Sequence, residues 1–282
     1  MVMIVPLFGT MYLSFFREVD NVQRFSGLLN FRTLFFDERW SAGFWNALGN
    51  NVWFFLIHLL VQTPIGVFLA AILATPRLRF KEAYRAAIFM PYILSPVIVG
   101  IVWKMILSPL WGVAPSIMAT VGLKSLFGPY LGNEGSALTT LALISVWQFA
   151  GFPMLMVYTA LLSIPDEVTE AADCDGVTGW SQFWRIQLPL VLPTIGIISI
   201  LTFIGTFNAF DLVYVTQGPQ AGPSYSTDLL GTYLYRAFFG MQLQQGDPNM
   251  GATIASVMFI IIMAIVCLYL YFIQRRLRRY QF

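Results

Sequence analysis

The sequence predicts an all-α membrane protein with six transmembrane helices, and three observations carry that reading. Of 282 residues, 57% are hydrophobic and 11% charged, where soluble domains carry about 25% charge. Mean hydropathy is +0.70. The apolar residues are gathered into runs near the roughly 20 residues needed to cross about 30 Å of hydrocarbon. The length of those runs excludes a soluble chain with a very large core, so lipid is the solvent for most of the surface.

The first run, residues 2–16, is short. Pro6, Gly9 and the lack of an A-x-A site argue against a cleaved signal peptide, so it reads as a first span. A polar connection over 17–42 contains an amphipathic patch, 28–36, suited to a membrane interface. The second span covers 51–74 and leads into a short basic stretch with Arg77, Arg79, Lys81 and Arg85. The third, 87–107, contains Pro91 and Pro96; membrane helices tolerate proline when neighbours satisfy the freed carbonyls. Residues 108–135 are rich in Gly and Pro and nearly uncharged, as in an extracytoplasmic loop. The fourth span is 138–162, ended by Ile164-Pro165. The fifth, 194–216, starts after Pro193 and closes at Gly218-Pro219. A long connection with an amphipathic segment at 229–239 then precedes the sixth span, 252–273. Residues 1–282 read as a single transmembrane domain.

Charge orients the spans. Placing residues 77–85, the polar loop 164–193 and the carboxy terminus on one side gives that side four, one and four basic residues, nine of the 16. Dense basic clusters in short loops face the cytoplasm. Both termini and the polar loop are therefore expected there.

Several functions are excluded. A net charge of +2 gives no reason to expect nucleic acid. Cys174 and Cys267 fall on different kinds of segment and read as free thiols. His58 stands alone in an apolar run and reads as structural, and no His/Cys/Asp/Glu group has metal-ligand spacing. There is no G-x-x-x-x-G-K-[ST], and the lysines are Lys81, Lys104 and Lys124. A P-loop needs that backbone cradle and its lysine to hold phosphates, so the chain is not itself an ATPase. No Ser/His/Asp or paired-carboxylate arrangement offers catalysis, and no catalytic residue or bound cofactor is expected.

The informative stretch is Glu170 to Pro189, a polar island between apolar runs. Asp166, Glu167, Glu170, Asp173 and Asp175 cluster there, in a chain with 14 acidic residues. Acidic residues in a first turn suit the helix dipole, and Gly176 suits the left-handed residue that ends such a helix. Residues 179–187 can restart a second short helix, stopped by Pro189. The expected form is a helix–turn–helix across the cytoplasmic face, with an amphipathic connector as the plainer reading.

Glu170-Ala171-Ala172, three residues, Gly176, nine residues, then Ile186-x-Leu188-Pro189 resembles the EAA loop of ABC-importer permeases, most closely the maltose-type family of binding-protein-dependent sugar permeases. Residues 43–48 (GFWNAL), 89–92 (FMPY) and 208–215 (NAFDLVYV) agree with that resemblance, which covers nearly the whole chain. Cys174-Asp175 departs from it, since the family more often has apolar residues before its glycine. The resemblance implies the type I importer permease architecture, in the cell membrane of a prokaryote. It implies a coupling helix docked in the cleft of a cytoplasmic ATPase, with Glu170 as polar contact, Ala171 and Ala172 as close-packing surface and Gly176 as hinge. Two such ATPase subunits would hold the ATP and Mg. A second, similar permease would complete a heterodimer, a homodimer staying open. An extracytoplasmic solute-binding protein would deliver substrate near 108–135 and 218–250.

Polar residues inside spans default to functional hypotheses. Asn208 and Asp211, with Phe207 and Tyr214, are candidates for the substrate path in the fifth span; Asn208, Asp211 and Val215 would share a helical face. Trp147, Gln148 and Tyr158 are candidates in the fourth. Sugars present apolar ring faces and dense hydroxyls, which aromatic rings and amides match. Interhelical packing is the alternative for all of these, and a pairing with Lys104 the alternative for Asp211. A mono- or oligosaccharide, a polyol or a sugar phosphate would each be a possible substrate, and the scarcity of intramembrane basic residues favours a neutral sugar. A competing class is an ion-coupled secondary transporter using Asp211, against which stands the lack of a matched pair of broken spans. A third is a scaffold or channel subunit.

Overall fold

Long apolar runs become long helices, because a backbone in hydrocarbon must satisfy its own hydrogen bonds. The computed structural model describes residues 4–20, 22–75, 78–123, 125, 127–241 and 244–277, with side chains at 244 and 273–277 left aside. Residues 2 and 3 of the first span, Arg77, Lys124, Arg278 and Arg279 lie outside them, as do the side chains of Arg275 and Arg276.

In chain order the elements begin with α1 (Ile4–Leu13), a hairpin of β1 (Phe16–Val19) and β2 (Val22–Phe25), and α2 (Leu29–Phe36). Next come α3 (Glu38–Ile57) and α4 (Thr63–Ala74), joined through a π turn at His58–Gln62. They are followed by α5 (Lys81–Ile93), α6 (Pro96–Ile106), α7 (Val113–Thr120), α8 (Glu134–Phe149) and α9 (Gly151–Leu162). The polar loop holds α10 (Asp166–Cys174) and α11 (Gly179–Gln182), which passes through a second π turn, Phe183–Gln187, into α12 (Leu188–Phe207). The chain continues with α13 (Asp211–Gln217), α14 (Leu230–Phe239), the strand pair β3 (Gly240–Met241) and β4 (Gln244–Gln245), and α15 (Pro248–Leu277).

Three helical stretches, Glu38–Ala74, Gly179–Gln217 and Pro248–Phe272, are each long and apolar enough to cross a membrane. Two bent pairs, α5 with α6 at 94° and α8 with α9 at 42°, account for two more. The apolar α1 is ten residues long, about 15 Å, and Phe16 belongs to β1 rather than to the first span.

Both π turns lie just ahead of a proline. Thr63 N–H bonds the His58 carbonyl before Pro64, and Leu188 N–H bonds the Phe183 carbonyl before Pro189. Proline clashes with the carbonyl four residues back, and widening the turn relieves that contact without ending the helix. Pro189 therefore does not stop the second loop helix, and Pro193 lies inside α12 instead of ahead of it.

The chain divides into two compact units, 1–53 with 125–138 and 204–282, and 54–124 with 139–203. In the first, α1, α2 and α14 pack along α15. Asn249 at its start donates to the carbonyls of Leu13 and Phe16 (3.3 and 2.8 Å), which pins the hairpin. In the second, α9 lies against α4 and α5. Here His58, Gln62 and Gly66, at i, i+4 and i+8, meet Ser145, Phe149 and Pro153 at the same spacing. His58 Nε2 is 2.8 Å from Ser145 Oγ and Gln62 Nε2 donates to the Phe149 carbonyl at 3.1 Å. That carbonyl has lost its helical donor, because Pro153 carries no N–H. The apolar core beside this seam contains Ala70, Leu73, Met154, Val157, Phe183 and Ile198.

Candidate functional site

The polar loop forms a helix–turn–helix. Asp166 and Glu167 occupy the first turn of α10. At its other end Gly176 N–H bonds the Asp173 carbonyl (3.0 Å) and Val177 N–H the Ala172 carbonyl (2.9 Å). That pair is a Schellman cap, and it places Gly176 at φ +74°. A Cβ on Gly176 would meet nothing within 4 Å; backbone conformation alone requires glycine here. Gln182 Nε2 donates to the Thr169 carbonyl at 3.0 Å, tying the second helix to the first. Trp180 stacks on Phe68 of α4 with centroids 5.8 Å apart and planes 13° apart.

Glu170, Ala171, Gly176 and Pro189 are exposed, and Ile186 and Leu188 half-buried. Ala172 is 3% exposed. The close-packing surface expected of Ala171 and Ala172 therefore narrows to Ala171, because the Ala172 side chain is buried within the chain itself. Trp180 and Trp184, 51% and 60% exposed, add an apolar face that the spacing of the motif did not point to.

The fifth span is broken. Residues 208–210 are non-helical, so Asn208, Asp211 and Val215 do not share a helical face. Phe207 is buried at the end of α12, Asn208 is exposed with Nδ2 donating to the Ile204 carbonyl at 2.8 Å, and Asp211 is exposed at the start of α13. Tyr214 is half-buried, its hydroxyl 3.4 Å from that of Tyr235. In the fourth span Gln148 is fully buried and donates through Nε2 to the Leu94 carbonyl (2.8 Å) at the break between α5 and α6. Tyr158 is buried beneath the Arg85 guanidinium, 5.8 Å from the ring centre. Both are occupied by packing. Trp147 remains about half exposed and meets Trp103 edge-on at 5.6 Å.

Sequence reasoning missed the support of the 218–229 loop. Ala221, Ser224 and Tyr225 have φ of +50°, +50° and +57°, which costs non-glycine residues backbone strain. A comb of asparagines on α3 holds the loop. Asn46 donates to the Tyr225 carbonyl, Asn50 to those of Ser226 and Asp228, and Asn51 accepts from Leu230 N–H at 2.7 Å. Asn51 also donates to the Thr206 carbonyl at the end of α12 (2.9 Å). Three asparagines within six residues of an apolar helix were the available signal. Among the described residues the single ion pair is Arg236–Asp228, with side chains 10% and 1% exposed. Burial raises the Asp228 pKa by more than Arg236 and Thr232 lower it.

Apolar helices long enough to span a bilayer, two bent helix pairs and an exposed acidic helix–turn–helix are the form of a polytopic membrane protein. Residues 62–280 match the model of the binding-protein-dependent transport system inner membrane component family, and the chain belongs to that family. The lactose transport system permease protein LacF of Rhizobium radiobacter is 30% identical over 277 residues, covering 98% of this chain and 90% of its own. The probable ABC transporter permease protein YurN of Bacillus subtilis is 28% identical over 264 residues, covering 93% and 87%. Among solved structures, a bacterial ABC transporter for the acidic polysaccharide alginate in complex with its alginate-bound periplasmic protein superposes with a TM-score of 0.81 at 23% identity, covering 98% of this chain and 89% of the other. That likeness establishes the type I importer permease fold. Spans are bent at α5–α6 and α8–α9 and broken at 208–210, and it is family membership that decides the class against an ion-coupled carrier.

Proposed function

We propose that the chain is the transmembrane permease subunit of an ATP-driven importer for a carbohydrate or related polyol. The observation that carries this reading is the exposed α10–Gly176–α11 unit with Glu170 and Ala171 on its surface, in a chain that has no phosphate-binding loop of its own. A partner ATPase, present twice and holding ATP and Mg, docks on this unit and drives alternating access. A second permease completes the membrane domain, and an extracytoplasmic solute-binding protein delivers substrate. The basic clusters support an orientation with the loop and both termini in the cytoplasm of a prokaryote. Phe207, Asn208, Asp211 and Tyr214 are assigned to the substrate path, and Trp147 is a separate candidate for it. The carbohydrate class is supported by relatives named as permeases of lactose and of arabinooligosaccharide transport systems.

Native purification of the tagged chain with intact-mass identification of what accompanies it tests the reading. An ATPase and a second permease are expected, with the ATPase lost in Glu170→Lys and Gly176→Pro. Recovery of the chain alone, still moving a solute in ATP-free vesicles under an ion gradient, refutes it and makes Asp211 the coupling residue.

A further inference from the structure

The hairpin that follows α1 sets two arginines against each other. In the antiparallel pairing of β1 and β2, Phe16 faces Phe25, Arg17 faces Arg24, Glu18 faces Gln23 and Val19 faces Val22. Side chains alternate between the two faces of such a pair. One face therefore carries Phe16, Glu18, Gln23 and Phe25, and it is the anchored one. Phe16 and Phe25 meet edge-on at 5.5 Å, and Gln23 exchanges hydrogen bonds of 2.9 and 3.4 Å with Asn249 of α15. The other face carries Arg17, Val19, Val22 and Arg24. Directly opposed residues have Cβ atoms about 5 Å apart, and like charges there oppose the pairing. The base of the hairpin cannot part to relieve this. Asn30 and Asn249 both donate to the Phe16 carbonyl, at 2.7 and 2.8 Å, and Ser26 N–H bonds the Phe15 carbonyl at 2.8 Å.

Among the described residues neither guanidinium has an ion pair or a hydrogen bond. Glu18 lies on the opposite face, and Asp20 sits at the turn beyond the valines. Arg17 is half-buried, and Arg24, Val19 and Val22 are exposed. The neighbouring rings fix the depth of the pair. Arg17 follows Phe16 and Arg24 precedes Phe25; Phe25 is exposed, as is Tyr12, whose ring lies 4.6 Å from that of Phe16 at the end of the apolar α1. Exposed aromatic rings at the end of a span mark the bilayer interface, so the guanidiniums stand at headgroup level. Guanidinium forks match phosphate oxygens, and valines on the same face add the apolar contact of an interfacial segment. A zwitterionic headgroup brings a cation of its own, so two uncompensated arginines select a net negative one. We infer that Arg17 and Arg24 form a binding site for the phosphate headgroup of an anionic phospholipid, which offsets their repulsion and seats the hairpin on the membrane, whatever solute the chain transports.

The native assembly carrying the tagged chain is placed in nanodiscs of phosphatidylcholine, with or without phosphatidylglycerol, and amide hydrogen exchange is followed at residues 16–19 and 22–25. Phosphatidylglycerol is expected to slow exchange there by about tenfold, the effect of two arginines at an anionic surface. The double variant Arg17→Gln/Arg24→Gln should lose that dependence. In phosphatidylcholine alone its hairpin should exchange about threefold more slowly than that of wild type, because the repulsion is gone. Arg17→Lys/Arg24→Lys keeps both charges and should keep the lipid dependence. Equal exchange of wild type in the two lipids overturns the site, and so does equal slowing of the glutamine variant by phosphatidylglycerol. Protection of wild type in phosphatidylcholine by millimolar inorganic phosphate, as large as that by phosphatidylglycerol, identifies a free-anion site and overturns the lipid assignment. Loss of an accompanying subunit from the glutamine variant identifies a protein interface and overturns it as well.

Discussion

Gly66→Ala tests the contact on which the second unit is built. A Cβ at Gly66 would lie 2.8 Å from Pro153 Cβ and Cγ and 2.9 Å from Met154 N. Carbon atoms rest about 3.5–4.0 Å apart, and a proline ring and a backbone nitrogen cannot swing aside. The helices must separate by about 1 Å, which takes the 3.1 Å bond from Gln62 to the Phe149 carbonyl out of range. Overpacking costs roughly 1–3 kcal/mol, and a buried carbonyl without a donor about 1–2 more. A total near 3 kcal/mol should lower the unfolding midpoint by at least about 5 °C. Tryptophan fluorescence of the detergent-purified protein reads that midpoint. Gly49→Ala is the control, because nothing lies within 4 Å of a Cβ there. A Gly66→Ala midpoint equal to that of Gly49→Ala would refute the argument that this glycine sets the helix separation.

Three further predictions follow from other contacts. Gly176→Ala has open space but the wrong backbone region, so it should cost about 1 kcal/mol. This should register as faster amide exchange at Gly176 and Val177 with the global midpoint unchanged, and Gly176→Asn should be milder. Asp228→Ala leaves the Arg236 guanidinium, 10% exposed, without its partner. Thermal denaturation should report a loss of about 3–5 kcal/mol. Asp228 also sets a pH dependence: burial raises its pKa, so the fold favours the protonated carboxyl. That contribution is fully present below the ordinary carboxylate value and lost as pH rises through the raised one. The wild-type midpoint should fall across that window, and Asp228→Asn should flatten the slope.

The sequence was most legible where local chemistry decides. Glu170 to Gly176 forms a capped helix because acidic residues open it and a left-handed glycine closes it, both properties of the residues themselves. The proline readings misled: Pro189 and Pro193 interrupt a pattern on paper, yet a π turn or a membrane helix absorbs them. The break at 208–210 carries neither glycine nor proline. Its cause is tertiary, since Asn51 takes the Thr206 carbonyl. The hairpin at 16–25 was equally hidden, because strands of four residues have too little alternation to stand out, and Asn30 and Asn249 hold them from afar. Gln148 and Tyr158 have the residue types of a sugar site, and only burial shows them turned to other work.

The second π turn means that α11 and α12 are one rod. From Gly179 to Phe207 no hinge intervenes, over about 40 Å at helical rise. Trp180 and Trp184 therefore sit on the opening turns of a helix that continues through the π turn into α12. If the loop is the docking surface proposed above, load placed on the two tryptophans enters a continuous helix and not a flexible tether.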